Sequence, residues 1–135
     1  MTEDSFERLL DAALDWQGEE SEEHARDLTF ELNEQNHLFC LAALLRLWFA
    51  HENDIPKQKR LLFMFGALDL EQVKKGLLLS KIRDSLYQPE LQHAAIQVTD
   101  YLGARELLPD LLSISQKPVG KFTASYLDAL IRYWQ

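Results

Sequence analysis

The chain has a single cysteine, Cys40, in 135 residues, which excludes an intrachain disulfide framework and any cysteine-rich zinc or iron-sulfur site. Glycine is scarce, five in all, and the Gly-x-Gly-x-x-Gly, phosphate-loop, Gly-x-Ser-x-Gly and His-Glu-x-x-His signatures are missing, so the common nucleotide-binding, acyl-transfer and zinc-protease patterns do not occur. No apolar run reaches the roughly 18 residues that a membrane helix needs. Thr2, Glu3 and Asp4 stand where a secretory leader would place a basic segment before an apolar one. The expectation is therefore a cytoplasmic protein in a reducing compartment, with no membrane partner. Only three valines and five isoleucines accompany 26 leucines, and that ratio favours helices over strands. Sheet signals are weak too, since no Asn-Gly or Asp-Gly hairpin turn occurs.

What is present fits one soluble domain over residues 1–135, with 47% apolar and 27% charged residues, because a chain of this length can bury roughly two-thirds of its unfolded surface. The fold class expected is all-α, with six to eight helices arranged as an irregular bundle or a short α-solenoid. Phe6, Leu9, Leu10, Ala13 and Leu14 form one helical stripe, with Thr2 or Asp4 as the cap. Past Gly18 a second stripe runs through Ala25, Leu28, Thr29 and Leu32, with Ser21 as the candidate N-cap and Glu22 and Glu23 near the positive end of the helix dipole. From about Leu38 to Ala50 nearly every face is apolar and Arg46 is the only charge, the pattern of a helix surrounded by others. Asp54-Ile55-Pro56 opens a fourth helix that turns Leu61, Leu62, Phe65 and Leu68 inward. A break is expected at Gly76, dividing an N-terminal part, 1–76, from shorter elements over Leu77 to Leu86, Pro89 to Leu102, Glu106 to Ser115 and Lys121 to Trp134.

Shifting the chain by 29 residues lays Leu78, Leu79 and Ile82 on Leu107, Leu108 and Leu111, and Pro89, Ala95, Val98, Tyr101 and Leu102 on Pro118, Ala124, Leu127, Leu130 and Ile131. Two helix pairs of equal length, each with a proline opening the second helix, look like successive units of an α-solenoid. The stretch from Leu91 to Leu112, with Ala94-Ala95, then Leu102-Gly103, then Pro109-Asp110-Leu111-Leu112, resembles a HEAT-like repeat over residues 77–134. Gly120 and Phe122 depart from that pattern, where the second unit lacks the polar helix start of the first. The resemblance implies a curved, non-catalytic surface that holds another macromolecule.

Charge is segregated. Residues 1–34 carry twelve acids against Arg8 and Arg26, while the remainder carries ten acids against twelve bases. A phosphate backbone would meet a field of its own sign, so nucleic acid is not expected as a partner. Asp15, Trp16, Glu19, Glu20, Glu22, Glu23 and Asp27 form the candidate docking face for a basic protein. The other reading of such a run is a solvated face that keeps the protein soluble. Lys57, Lys59, Arg60, Lys74 and Lys75 make a smaller counter-patch, suited to an acidic segment or to the N-terminus of a second copy in a homodimer.

Chemistry-bearing residues are few. Glu34-x-x-His37 and Glu90-x-x-His93 have the spacing by which a four-helix bundle holds two metal ions, with Glu71 as the candidate inward glutamate; but the first motif straddles an expected helix boundary. Glu20 and His24, with Asp27, read either as a metal corner or as a surface pair. His51 closes a helix, where an imidazolium suits the dipole. Cys40 lies in the most apolar segment and reads as buried filler. No catalytic, metal or cofactor residues are assigned. The functional expectation is a protein-binding protein, in concrete form an immunity or inhibitor protein that occludes a basic partner. The alternatives are a scaffold or secretion-chaperone-type adaptor with an apolar groove, and a dimetal carboxylate enzyme.

Overall fold

The computed structural model describes residues 1–69, 75–117 and 120–135, and among them every regular element is helical. The α-helices are α1 (Glu3–Ala13), α2 (Ser21–Gln35), α3 (His37–Ala50), α4 (Ile55–Phe65), α5 (Lys75–Leu86), α6 (Gln92–Leu102), α7 (Leu108–Ile114) and α8 (Lys121–Trp134), with a 3-10 turn at Arg105–Leu107 leading into α7. The all-α expectation holds, and the helix starts show why. Thr2 Oγ1 accepts from the Ser5 N–H at the head of α1, Asn36 Oδ1 accepts from the Leu38 and Phe39 N–H groups at 3.2 Å, and Asp54 Oδ1 accepts from Lys57 N–H in front of Pro56. Each cap satisfies donors that a helix start leaves without an intrahelical acceptor.

The helices pack as four consecutive hairpins, α1/α2, α3/α4, α5/α6 and α7/α8, in two rows. Along the odd row α1 lies on α3 and α5 on α7, and Lys81 of α5 sets its ammonium 4.5 Å from the centre of the Phe49 ring on α3. Along the even row α2 lies on α4, α4 on α6 and α6 on α8. The core runs between the rows. Phe6, Leu10, Leu44, Leu61, Leu62, Phe65, Leu78, Ile82, Leu86 and Leu127 are fully buried, each contributing about 1.5–3 kcal/mol of hydrophobic stabilisation. Two buried threonines, Thr29 and Thr99, donate to the carbonyls of Ala25 and Ala95 one turn back, so neither hydroxyl is left unsatisfied. Gln92 donates to Leu86 O at 3.0 Å, tying the end of α5 to the start of α6. Gly66 lets α6 come close: a Cβ there would stand 3.2 Å from the Tyr101 ring. Gly103 ends α6 at φ +60°, a left-handed conformation that glycine adopts without steric cost.

Several expectations are corrected. Ser21 does not cap α2; it is the first helical residue, and its hydroxyl instead accepts from Arg60 Nη2 at 3.0 Å. α5 runs from Lys75 to Leu86, and the break expected at Gly76 falls against residues 70–74, which lie outside the described residues. Pro89 sits in the turn before α6, which begins at Gln92, because Leu91 in αR geometry is the residue that starts the hydrogen-bonded run. α3 is not surrounded on all sides: Leu38 and Phe49 at its two ends are more than half exposed, while Cys40, Leu41, Ala43, Leu44, Leu47 and Trp48 are buried. Glu71, Lys74 and Pro118 lie outside the described residues. Among the described residues no helix is long and apolar enough to cross a membrane.

Candidate functional site

The twelve acids of the first 34 residues divide into two groups. Of those in α1 and the turn after it, Glu3, Glu7, Asp11 and Asp15 each face a basic side chain of α3 or α4 or of the turn between them, while Asp4 has no ion-pair partner among the described residues. Arg46 of α3 gives Nη1 to Glu3 and Nε to Glu7, both at 2.8 Å, and these two hydrogen bonds raise the guanidinium pKa above its ordinary value. His51 Nε2, at the end of α3, lies 2.9 Å from Asp11 Oδ1, and Lys57 Nζ lies 3.6 Å from Asp15. Arg60 donates to Ala13 O and to Ser21 Oγ, pinning the turn that carries Trp16. Lys57 and Arg60 are thus engaged inside the molecule, which removes them from the counter-patch read in the sequence.

The acids of α2 and its approach are not compensated. Glu20 has His24 at 3.4 Å, but Glu19, Glu22, Glu23, Asp27, Glu31 and Glu34 are exposed and have no ion-pair partner among the described residues. Glu20, Glu23, Asp27, Glu31 and Glu34 recur at three- and four-residue steps, so they stand on one side of the helix. Two clefts flank this ridge and share Asp27. The first, of about 410 Å³, is lined by Trp16, His24, Asp27, Leu28 and Glu31. The second, of about 400 Å³, is lined by Arg26, Asp27, Phe30, Asn33, Glu34 and residues 66–69 beyond α4. No family model matches this chain, and no curated protein or solved structure shows significant similarity to it.

Of the seven predicted docking residues, Trp16 and Asp27 meet in one cleft; Glu19, Glu20, Glu22 and Glu23 lie along the approach to α2 and its first turn; and Asp15 is turned to Lys57. Four further residues at these clefts were not among the predicted docking residues: Arg26, Phe30, Asn33 and Tyr101. Asn33 is 2% exposed, and its Oδ1 is buried with no hydrogen-bond partner. Its signal is positional, because Asn33 follows Ala25 and Thr29 at four-residue steps and so puts a polar group on the apolar stripe. The Arg26 guanidinium stacks 4.9 Å from the centre of the Tyr101 ring, bridging α2 to α6 across the end of α4.

The other chemistry-bearing residues are dispersed. Glu34 lines the second α2 cleft, whereas Glu90 lines a separate cavity with Trp48, Lys81 and Asp84. His93 Nδ1 lies 3.0 Å from Thr123 Oγ1, and its ring packs between Phe122 and Tyr126. The four dimetal candidates, Glu34, His37, Glu90 and His93, are not brought together, and no group of three or more metal-ligating side chains exists among the described residues. Tyr126 donates to Asp100 Oδ2 at 2.5 Å; burial first, and then that bond, pushes its phenol pKa up. Burial alone pushes the Cys40 thiol up to about 12, far from the range of a reactive thiolate.

Proposed function

We propose that this chain is a non-catalytic protein-binding protein that captures a basic protein on the acidic face of α2, in the manner of an immunity or inhibitor protein that occludes its target. The observation that carries this reading is the division of the carboxylates. Glu3, Glu7, Asp11 and Asp15 each face Arg46, His51 or Lys57, whereas Glu19, Glu22, Glu23, Asp27, Glu31 and Glu34 face solvent with no ion-pair partner among the described residues, next to the part-exposed rings of Trp16 and Phe30. Unpaired surface charge of one sign accelerates encounter with a partner of the other sign, and aromatic anchors slow its release. The stacking of hairpins in two rows supports reading the chain as a short α-solenoid related to the HEAT-like pattern, with the even-numbered helices as its binding side. A cytoplasmic location belongs to the same reading. A second reading, an adaptor that holds an apolar client segment, is favoured by Phe122 and Tyr133 on α8, at 74% and 77% exposure.

The test is capture of a basic partner at low and high salt by two variants of equal charge. One has Glu19, Glu22, Glu23 and Glu31 changed to Gln. The other has the exposed Glu52, Asp84, Glu90 and Asp128 changed to their amides. Loss of capture in the first alone, deepened by salt, is expected. Equal weakening in both would reduce the effect to net charge and overturn the reading, and capture unaffected by either variant or by salt would favour the adaptor.

A further inference from the structure

A cavity of about 290 Å³ lies where the α3/α4 hairpin meets the end of α5, and no residue of α2 lines it. Two side chains in its lining, Trp48 and Gln58, are more than nine-tenths buried, at 7% and 5% exposure. Neither the Trp48 indole N–H nor the Gln58 side-chain amide has a hydrogen-bond partner among the described residues. Neither is sealed off, since Asn33 Oδ1 is the one unpartnered side-chain oxygen or nitrogen there that has lost contact with solvent. Both groups therefore open on the cavity that they line, one as a donor and the other as donor and acceptor. Three exposed carboxylates, Glu52, Asp84 and Glu90, complete the lining without ion-pair partners among the described residues. Lys81, in the same lining, is set instead over the Phe49 ring. The C-terminal ends of α3 and α5 reach this place against the single N-terminal end of α4, which Asp54 already caps, so the helix dipoles also favour a cation.

We infer that this cavity binds a free hydroxylated amine of monosaccharide size, with its hydroxyls on Trp48 and Gln58 and its ammonium among the carboxylates. A hydroxyl both donates and accepts, so one matches the indole N–H and another the side-chain amide. A protonated amine supplies the counter-charge that Lys81 alone does not, and charge-assisted hydrogen bonds to carboxylates are the stronger kind. Other ligands leave a group unmatched. An alkylamine brings no acceptor to the Trp48 N–H, a neutral sugar leaves the carboxylates unpaired, and an anion meets charges of its own sign. A metal ion would need three or more ligating side chains together, and no such group exists among the described residues. The volume is at the lower end of the roughly 300–1,000 Å³ of small-molecule sites, which suits one ring rather than a peptide.

The experiment is an NMR titration of the intact chain at about pH 6.5, where amines are protonated and carboxylates ionised. The probes are glucosamine, glucose without the charge, cyclohexylamine without the hydroxyls, and glucuronate with the charge reversed. Glucosamine is expected to give saturable backbone-amide shifts confined to residues 48–58 and 81–90, with the other three at least fivefold weaker. Trp48→Phe, which keeps a ring against Phe65 and removes the N–H, and Gln58→Met should each weaken glucosamine at least fivefold. Asp84→Asn with Glu90→Gln should do the same, and both residues are exposed, so this variant keeps the fold. Any of the three other probes binding as tightly as glucosamine, unchanged binding by Gln58→Met or by the Asp84, Glu90 variant, or no saturable shift in this cavity would each overturn the proposal. The acidic face of α2 is tested apart from it: with Glu52, Asp84, Glu90 and Asp128 changed to their amides, the chain should lose glucosamine and still capture the basic partner.

Discussion

Replacing Asn33 by leucine should make the protein more stable, an unusual direction for a change at a residue only 2% exposed. Most buried substitutions remove favourable contacts. Here the side chain carries an oxygen that lost its water on folding and gained no donor in return, a penalty of about 1–3 kcal/mol. Leucine is of similar size, has no polar atom and can pack against Leu68 in the same lining. It is also the better helix former by about 0.5 kcal/mol at most. The expected gain is about 1–2 kcal/mol. For 135 residues the unfolding entropy scales to about 0.28 kcal/mol per kelvin, so the midpoint should rise by about 4–7 °C. Thermal unfolding by circular dichroism and urea titration would read it, with the urea slope unchanged so that the shift reports stability rather than a change in exposed surface. Asn33→Asp, which puts a charge where the orphaned oxygen sits, should move the midpoint the other way. A gain no larger than propensity explains, or a loss, would show that the Asn33 oxygen carries no penalty in the folded chain and would refute the reasoning.

Cys40 should resist a disulfide-exchange reagent at pH 8 in the folded protein and react fully in denaturant, since burial moves its thiol from an ordinary value of 9.0 to about 12. The linkage has a definite sign. The unfolded chain ionises first, so stability is intact below about pH 9 and falls as the pH climbs from 9 towards 12, by about 1.4 kcal/mol per pH unit from this group. Cys40→Ala should flatten that part of the alkaline slope, and an unchanged slope would assign it to the tyrosines. Phe65→Ala should cost about 3–5 kcal/mol, because the ring is fully buried with Trp48 at 5.7 Å; a loss below about 1 kcal/mol in urea titration would show that the neighbouring side chains collapse into the space.

Much of the secondary structure is legible from local chemistry. Thr2, Asn36 and Asp54 cap where short polar side chains precede helical stripes, and the apolar stripe of α1 buries Phe6, Leu10, Ala13 and Leu14 while Leu9, at its edge, is 40% exposed. Local signals fail where a distant side chain competes. Ser21 has the composition of an N-cap, yet Arg60, 39 residues on, takes its hydroxyl. Leu38 and Phe49 carry the apolar signal of core residues and are exposed because they share one face of α3 with the half-buried Ala42 and Leu45, turned away from the buried Leu44, Leu47 and Trp48.

The candidate site divides along the same line. Composition and order determine that the chain is helical, that its first 34 residues are strongly acidic, and that the disulfide frameworks and cysteine-rich metal sites common in small proteins are excluded. Those properties belong to single residues and their near neighbours. Which acids face outward without cations is a property of pairs far apart in the chain: Arg46 reaches Glu3 and Glu7 across some forty positions, and His51 and Lys57 reach Asp11 and Asp15. The same holds for Asn33, an ordinary helix residue until α4 and the turn beyond it cover its oxygen without offering a donor. Charge and helical period are additive along a sequence, whereas compensation and desolvation depend on what the fold brings within a few ångströms, and only the tertiary structure decides that.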